Sequence, residues 1–316
     1  MSDVKLYKMS GAGNDFVVLD GRGTDVSGFR QPERIAELCR EYRTDGLMIL
    51  DDGDADFRME FFNPDGSGGM MCGNGGRCIV AFADWLGITP SAPDHYTFLA
   101  PDGLHSAEIL FRSPNGWTQP LEDVSTPGES TPKSRSFSGA PLFGQGEGPI
   151  ADGRGRSERS ERSSDKGCSP AVWTVKLKMI DVEGVSEVMG GYFLNTGTRH
   201  FVKFVEDVDA IDVATDGKAL RWNEAFAPEG ANINFVQRLP DGSLKIRTFE
   251  KGVERETLAC GTGITASALA AYYSGITTET SIRLQARRGD ILSVDFIPDG
   301  PAKFHDIHLT GPAELL

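Results

Sequence analysis

One stretch of this chain occurs twice. Met71-Cys72-Gly73-Asn74-Gly75-Gly76-Arg77 has an echo 188 residues on, from Cys72 to Cys260, in Ala259-Cys260-Gly261-Thr262-Gly263. Both read Cys-Gly-polar-Gly, and both run into apolar segments of helical length. The first continues as Ile79-Val80-Ala81-Phe82-Ala83 and Trp85-Leu86, and the second as Ile264 through Tyr273. A phenylalanine stands 11 residues before each cysteine (Phe61, Phe249), and a glycine 15 residues after each (Gly87, Gly275). Those glycines sit where a helix C-terminal glycine belongs. A chain with the same half-site twice is expected to be a duplicated unit that contributes one thiol from each half.

The chemistry follows from what a helix start offers. Its first backbone N–H groups are unpaired and partly positive. They bind an anion such as a carboxylate, and they are expected to lower the pKa of a cysteine placed there, making its thiolate available as a base. Two such helix ends facing each other would hold one carboxylate and set one sulfur on each face of the adjoining carbon. One thiolate would then remove a proton while the opposite thiol returned another. That is stereoinversion at a carbon acid, with no metal or organic cofactor.

The composition narrows the other possibilities. A net charge of −14 over 316 residues argues against a nucleic-acid partner, which needs a basic face. No apolar run approaches a membrane span. The start, Met1-Ser2-Asp3-Val4-Lys5, has no signal-peptide pattern, and five cysteines (39, 72, 78, 168 and 260) are an odd, low count. Together these point to reduced thiols in a cytoplasm. No Cys/His spacing fits zinc.

Strands are expected at 4–9, 16–20, 47–50, 57–62, 96–100, 104–111, 172–180, 244–250, 281–286, 291–297 and 304–309, with helices at 32–43, 75–86 and 210–223. Helix 75–86 is apolar nearly all round, the mark of a buried helix, so its one acid, Asp84, must face a partner or an opening. Residues 112–170 depart from the rest: Ser, Gly, Pro and Arg dominate, ending in Gly153-Arg154-Gly155-Arg156-Ser157-Glu158-Arg159-Ser160-Glu161-Arg162. Such a stretch buries too little apolar surface to offset its ordering entropy and reads as a disordered insertion. The expected division is thus a first domain at 1–111, the insertion at 112–170, and a second domain at 171–303. The strand near 304–316 is a candidate to return to the first domain.

Five stretches, two of them holding the repeated motif, give the chain a resemblance. These are Ser10-Gly11-Ala12-Gly13-Asn14-Asp15-Phe16, Phe62-Asn63-Pro64-Asp65-Gly66-Ser67, Met71-Cys72-Gly73-Asn74-Gly75, Ala231-Asn232-Ile233-Asn234-Phe235 and Glu256-Thr257-Leu258-Ala259-Cys260-Gly261-Thr262-Gly263. The chain resembles the diaminopimelate epimerase family over most of its length outside the insertion. The resemblance implies an α/β (α+β) fold of two pseudo-symmetric domains. Each would be a mostly antiparallel sheet wrapped around a central buried helix, with the active site in the interdomain cleft.

It also implies roles. Cys72 and Cys260 would be the acid/base pair. Gly73, Asn74, Gly261 and Thr262 would offer backbone N–H groups to the reacting carboxylate. Glu250 and the carbonyl of Lys251 would take the ammonium. Asn14, Asn63, Thr198 and Asn232 would read the far end of a small amino-acid substrate, and His200 and Glu250 would tune the thiols. A homodimer is a candidate assembly. Two departures stand out: Tyr42-Arg43-Thr44-Asp45-Gly46 is shorter than the family's glycine-rich segment, and Lys251 stands where the family has arginine, losing a bidentate grip on carboxylates. The rival readings are a proline- or hydroxyproline-type racemase, which also uses two cysteines, and a non-catalytic dithiol redox switch.

Overall fold

The computed structural model describes residues 4–69, 71–113, 120–124 and 170–316. The first half runs β1 (Val4–Gly11), β2 (Asn14–Asp20), α1 (Pro32–Tyr42), β3 (Leu47–Asp51), β4 (Phe57–Phe62) and α2 (Gly73–Trp85). It continues with β5 (His95–Ala100), β6 (Gly103–Arg112) and the short β7 (Glu122–Val124). The second half runs β8 (Ala171–Lys178), β9 (Val185–Val188), β10 (Gly191–Asn195), β11 (Arg199–Phe204), α3 (Val213–Arg221), β12 (Asn232–Arg238) and β13 (Leu244–Glu250). It ends with β14 (Arg255–Thr257), α4 (Gly261–Tyr273), β15 (Ser281–Gln285), β16 (Ile291–Pro298) and β17 (Phe304–Leu315). This is a mixed α/β fold dominated by sheet.

Strand pairing repeats the duplication seen in the sequence. β1 and β2 are antiparallel, β2 and β3 parallel, β3 and β4 antiparallel, β4 and β5 parallel, β5 and β6 antiparallel. β10 through β16 follow the same succession, with β11–β12 and β13–β15 as the parallel pairs. Parallel neighbours need a crossover, and the four helices supply one each: α1 and α2 in the first half, α3 and α4 in the second.

The crossovers divide into two kinds. α1 is amphipathic and buries Ile35, Leu38 and Cys39 on one face, in a cluster with Val17, Leu19 and Leu47. α3 opens on Asp212, which accepts from the Thr215 N–H at 3.2 Å, and buries Val213 beside Phe249 and Ile233. α2 and α4 are instead enclosed by sheet. α2 lies against β1, β2, β3, β6, β8 and β17, and α4 against β10 to β13 and β15 to β17. Residues 73–83 are all buried, as is nearly every residue of 261–271. Alanine and serine keep α4 slim enough for this enclosure. Asp84 does have partners: it takes both arms of Arg112 at 2.7 and 2.8 Å, the Tyr96 hydroxyl at 3.0 Å and the Trp173 indole N–H at 2.9 Å.

Several boundaries differ from the sequence reading. α2 starts at Gly73, two residues early, because Cys72 itself is the N-cap. α3 is shorter than 210–223, bounded by its Asp212 cap. Gly87 and Gly275 do take positive φ, 74° and 76°, just past the two central helices. Within the expected insertion, Glu122–Val124 form a strand antiparallel to Val4–Leu6, so a disordered assignment fails there. A three-residue strand gives no sequence period to find, and its partner supplies the order. Most of the remaining expected insertion, including Cys168 and the Arg/Ser tract, lies outside the described residues. β17 pairs with β16, β8 and β1 (Met9 opposite Leu315), and β8 pairs with β6, so each of these strands bridges the two halves.

Candidate active site

Cys72 and Cys260 cap α2 and α4, with extended backbone at φ −108° and −125°. The Cys72 sulfur accepts from the Gly75 N–H at 3.2 Å. The Cys260 sulfur instead contacts the Thr262 hydroxyl at 3.5 Å. The helix starts meet. A Cβ built on Gly261 would lie 3.1 Å from the Gly73 Cα and 2.9 Å from the Leu309 Cδ2, and one on Gly73 would lie 2.9 Å from that same methyl. Only glycine allows two backbones this close, which is the physical reason for Cys-Gly in both motifs.

Two cavities open beside this junction and share three residues, Cys72, Glu250 and Lys251. One, of about 230 Å³, adds Gly73, Thr196, Thr198, Asn232 and Thr262, with Asp102, His105 and Lys178 on its walls. The other, of about 550 Å³, adds Asn14, Asn63, Asp45, Arg255 and Thr257. Of the sequence-derived residues, Asn14, Asn63, Cys72, Gly73, Thr198, Asn232, Glu250, Lys251 and Thr262 line these cavities, whereas Asn74, Cys260 and Gly261 line neither. The expected far-end readers fall on two sides, Thr198 and Asn232 in one cavity, Asn14 and Asn63 in the other.

Some of these residues are already engaged. The Asn232 oxygen accepts from the Lys251 N–H at 2.7 Å, and its amide donates to the Arg199 carbonyl at 3.2 Å and the Thr198 hydroxyl at 3.4 Å. Asn232 thus holds the Lys251 turn in place. The Asn74 amide donates to Asn14 Oδ1 at 3.0 Å and to the Ala259 carbonyl at 3.1 Å, joining the two half-sites. Sequence reasoning missed Asp102, His105, Asp45 and Arg255 as site walls. Asp102 accepts from the Met71 N–H at 3.3 Å and contacts His105 Nε2 at 3.2 Å, from the turn between β5 and β6. That turn is ordinary in sequence, and only its position in the fold gives it a role.

His200 is wholly buried and lines neither cavity. Its state follows from its neighbours. The Asn234 Nδ2 donates to the Phe201 carbonyl at 3.1 Å and Asn234 Oδ1 accepts from Thr248 at 3.0 Å, which fixes the amide. The same Nδ2 faces His200 Nδ1 at 3.1 Å, so Nδ1 must accept. Nε2 then carries the proton and donates to the Thr262 hydroxyl at 2.9 Å. That leaves the Thr262 hydrogen for the Cys260 sulfur. Burial pushes the His200 pKa down to about 3, so the ring is neutral.

The expected lowering of the thiol pKa values is overturned. Burial pushes Cys72 up to about 11, with the Gly75 N–H opposing it and Glu250 adding to it. Cys260 is pushed up as well, by burial first and then by Glu250. Glu250 is itself raised by burial. The helix ends favour thiolates, but the loss of water around enclosed sulfurs outweighs them. Among the described residues no cluster is arranged to hold a metal ion, and no helix is long and apolar enough to cross a membrane.

Comparison with known proteins identifies the family. The profile of a family described as diaminopimelate epimerase matches residues 6–108 and 192–315. The chain is 32% identical over 320 residues to a protein of Aquifex aeolicus named diaminopimelate epimerase, covering 98% of this chain and 94% of that one. It is 34% identical to its namesake in Chlorobaculum tepidum, covering 98% and 97%. Among solved structures, a Bacillus anthracis protein of the PhzF phenazine biosynthesis family superposes with a TM-score of 0.62 at 13% identity, covering 100% of this chain and 97% of that one. A hydroxyproline epimerase from Agrobacterium vitis, with bound trans-4-hydroxy-L-proline, superposes at 0.55 with 15% identity, covering 100% and 94%. At those identities the likeness is one of fold.

Proposed function

This chain belongs to the diaminopimelate epimerase family, a family of isomerases, and on that premise we propose that it interconverts LL-2,6-diaminopimelate and meso-2,6-diaminopimelate, a step in lysine and peptidoglycan-precursor biosynthesis. The observation that carries the reading is the abutment of two cysteine-capped helix starts at Gly73 and Gly261. The substrate carboxylate occupies the N–H groups of residues 73–74 and 261–262, where charge developing on deprotonation is stabilised by dipoles already in place. As a thiolate, Cys72 takes the α-proton of the LL isomer. The carbanion then takes a proton from the Cys260 thiol on the opposite face, leaving Cys72 protonated and Cys260 as thiolate. The meso isomer runs the sequence backwards.

Glu250, shared by both cavities, holds the reacting ammonium with the Lys251 carbonyl. Asn14, Asn63, Thr198 and the Lys251 turn orient the non-reacting end, whose binding energy fixes the reacting end. Raised thiol pKa values suit this cycle. A sulfur that surrenders its proton reluctantly is, once ionised, a strong base for a weakly acidic C–H.

Cys72→Ala and Cys260→Ala variants, incubated with LL and meso substrate in heavy water, test the reading by mass spectrometry of α-deuterium. Both are expected to lose epimerisation, with any residual deuterium uptake favouring opposite isomers in the two variants. Binding should weaken far less than turnover. Near wild-type epimerisation by either variant would sink the two-thiol mechanism.

A further inference from the structure

The proposed mechanism leaves one charged side chain at the junction unused. Arg77 lies one turn into α2 and is completely buried. Its Nη1 donates to the Gly73 carbonyl at 3.0 Å, its Nη2 to Asn74 Oδ1 at 3.0 Å, and its Nε to the Pro312 carbonyl at 3.3 Å. All three acceptors are neutral. Arginine stays protonated in proteins, and an uncompensated buried cation is costly. The ionisable groups whose negative forms Arg77 favours are Cys78 and Cys72, then Asp290.

The duplication supplies an internal control. Five residues after Cys72 stands Arg77, and five after Cys260 stands Thr265. The Thr265 hydroxyl donates to the Gly261 carbonyl at 3.0 Å, as Arg77 does to Gly73. A hydroxyl is thus enough to satisfy that carbonyl. What Arg77 adds is a positive charge, present in one half-site and absent from the other.

We propose that Arg77 is a positioning residue whose buried charge makes Cys72, rather than Cys260, the thiol that ionises first in the resting protein. Two further features agree. The Cys72 sulfur accepts the Gly75 N–H at 3.2 Å, whereas the Cys260 sulfur meets the Gly263 N–H and, at the longer 3.5 Å, the Thr262 hydroxyl. Glu250 opposes ionisation of both thiols, while the Arg77 charge favours the Cys72 thiolate. Arg77 also fixes the Asn74 amide, so that its nitrogen points at the carbonyl of Ala259, the residue before the second thiol. The inference rests on the two-thiol reading and adds an order to it.

Iodoacetamide alkylation across pH, with Cys72 and Cys260 followed separately by peptide mass spectrometry, tests the order on the full chain. In the wild type the alkylation midpoint of Cys72 should lie below that of Cys260. Arg77→Met should raise the Cys72 midpoint by about one unit or more, about a tenfold slower reaction at a fixed pH below it, and leave Cys260 within a few tenths. Arg77→Lys, which keeps the charge, should hold the Cys72 midpoint near wild type. A wild type in which Cys260 reacts at the lower pH overturns the proposal without any variant. So does a folded Arg77→Met with an unmoved Cys72 midpoint, or an Arg77→Lys that shifts it upward by a unit. If wild-type protein orders its thiols as stated but exchanges no α-proton, the epimerase reading fails while the thiol order stands.

Discussion

The two helix-capping cysteines were visible in the sequence because each carries its own context: a glycine on one side and an apolar helix behind. Their ionisation was not, because local sequence reports the helix end and not the water excluded by distant strands. His200 shows the same limit. The family resemblance marked it, yet its surroundings depend on Asn234 and Thr248 across the sheet. A histidine held neutral carries a testable cost. Its folded pKa of about 3 lies below the unfolded value of 6.5, so the unfolded chain binds the extra proton between those limits. The stabilisation is present above pH 6.5 and is lost as pH falls toward 3. Between pH 7 and pH 5 the loss should be about 2 kcal/mol. Urea unfolding of wild type and His200→Gln at both pH values checks this: the variant should lack that part of the acid sensitivity, and equal losses in the two proteins would refute it.

Among the elements, those with long, regular periods were legible, and those defined by a partner were not. α1, α2, α4 and β4 could be placed because period and punctuation agree: Pro32 opens α1, and Gly87 and Gly275 follow the central pair. Glu122–Val124 could not, since three residues carry no period. The two-sided arrangement of far-end residues was also hidden, because it depends on how β2, β4, β11 and β12 surround the helix starts. The contact between those starts makes a sharp prediction. Gly261→Ala must push either Leu309 or the backbone of Gly73 aside, so it should cost about 1–3 kcal/mol and lower turnover by tenfold or more, as small displacements at a reacting centre do. Gly87→Ala, at the far end of α2, meets nothing within 4 Å and has only its φ of 74° to strain. It should cost about 1–2 kcal/mol and spare turnover. Urea midpoints with steady-state rates separate the two effects, and a fully active Gly261→Ala would contradict the close-approach argument.

The duplication was plain in the spacing of Phe61, Cys72 and Gly87 against Phe249, Cys260 and Gly275. The interleaving of the halves was not, because nothing in β8 or β17 announces that each pairs with strands of both. That interleaving fixes how the helix starts face each other and forces a confrontation. α2 and α4 present like poles, both partly positive, across a gap two glycines wide, and Arg77 adds a full positive charge behind one of them. Bringing two positive ends together does work against Coulomb repulsion, and the strands shared between the halves hold them there. An anion lodged between the poles turns that repulsion into attraction on both sides. On the proposed reading, the substrate carboxylate is then a keystone as well as a reactant. Small oxyanions should mimic it. Sulfate or a simple carboxylate at low millimolar concentration should raise the unfolding temperature by mass action, above the effect of chloride at equal ionic strength, and the advantage should shrink in Gly261→Ala, where the poles are wedged apart. Identical melting in sulfate and chloride would mean that the arch stands without its keystone.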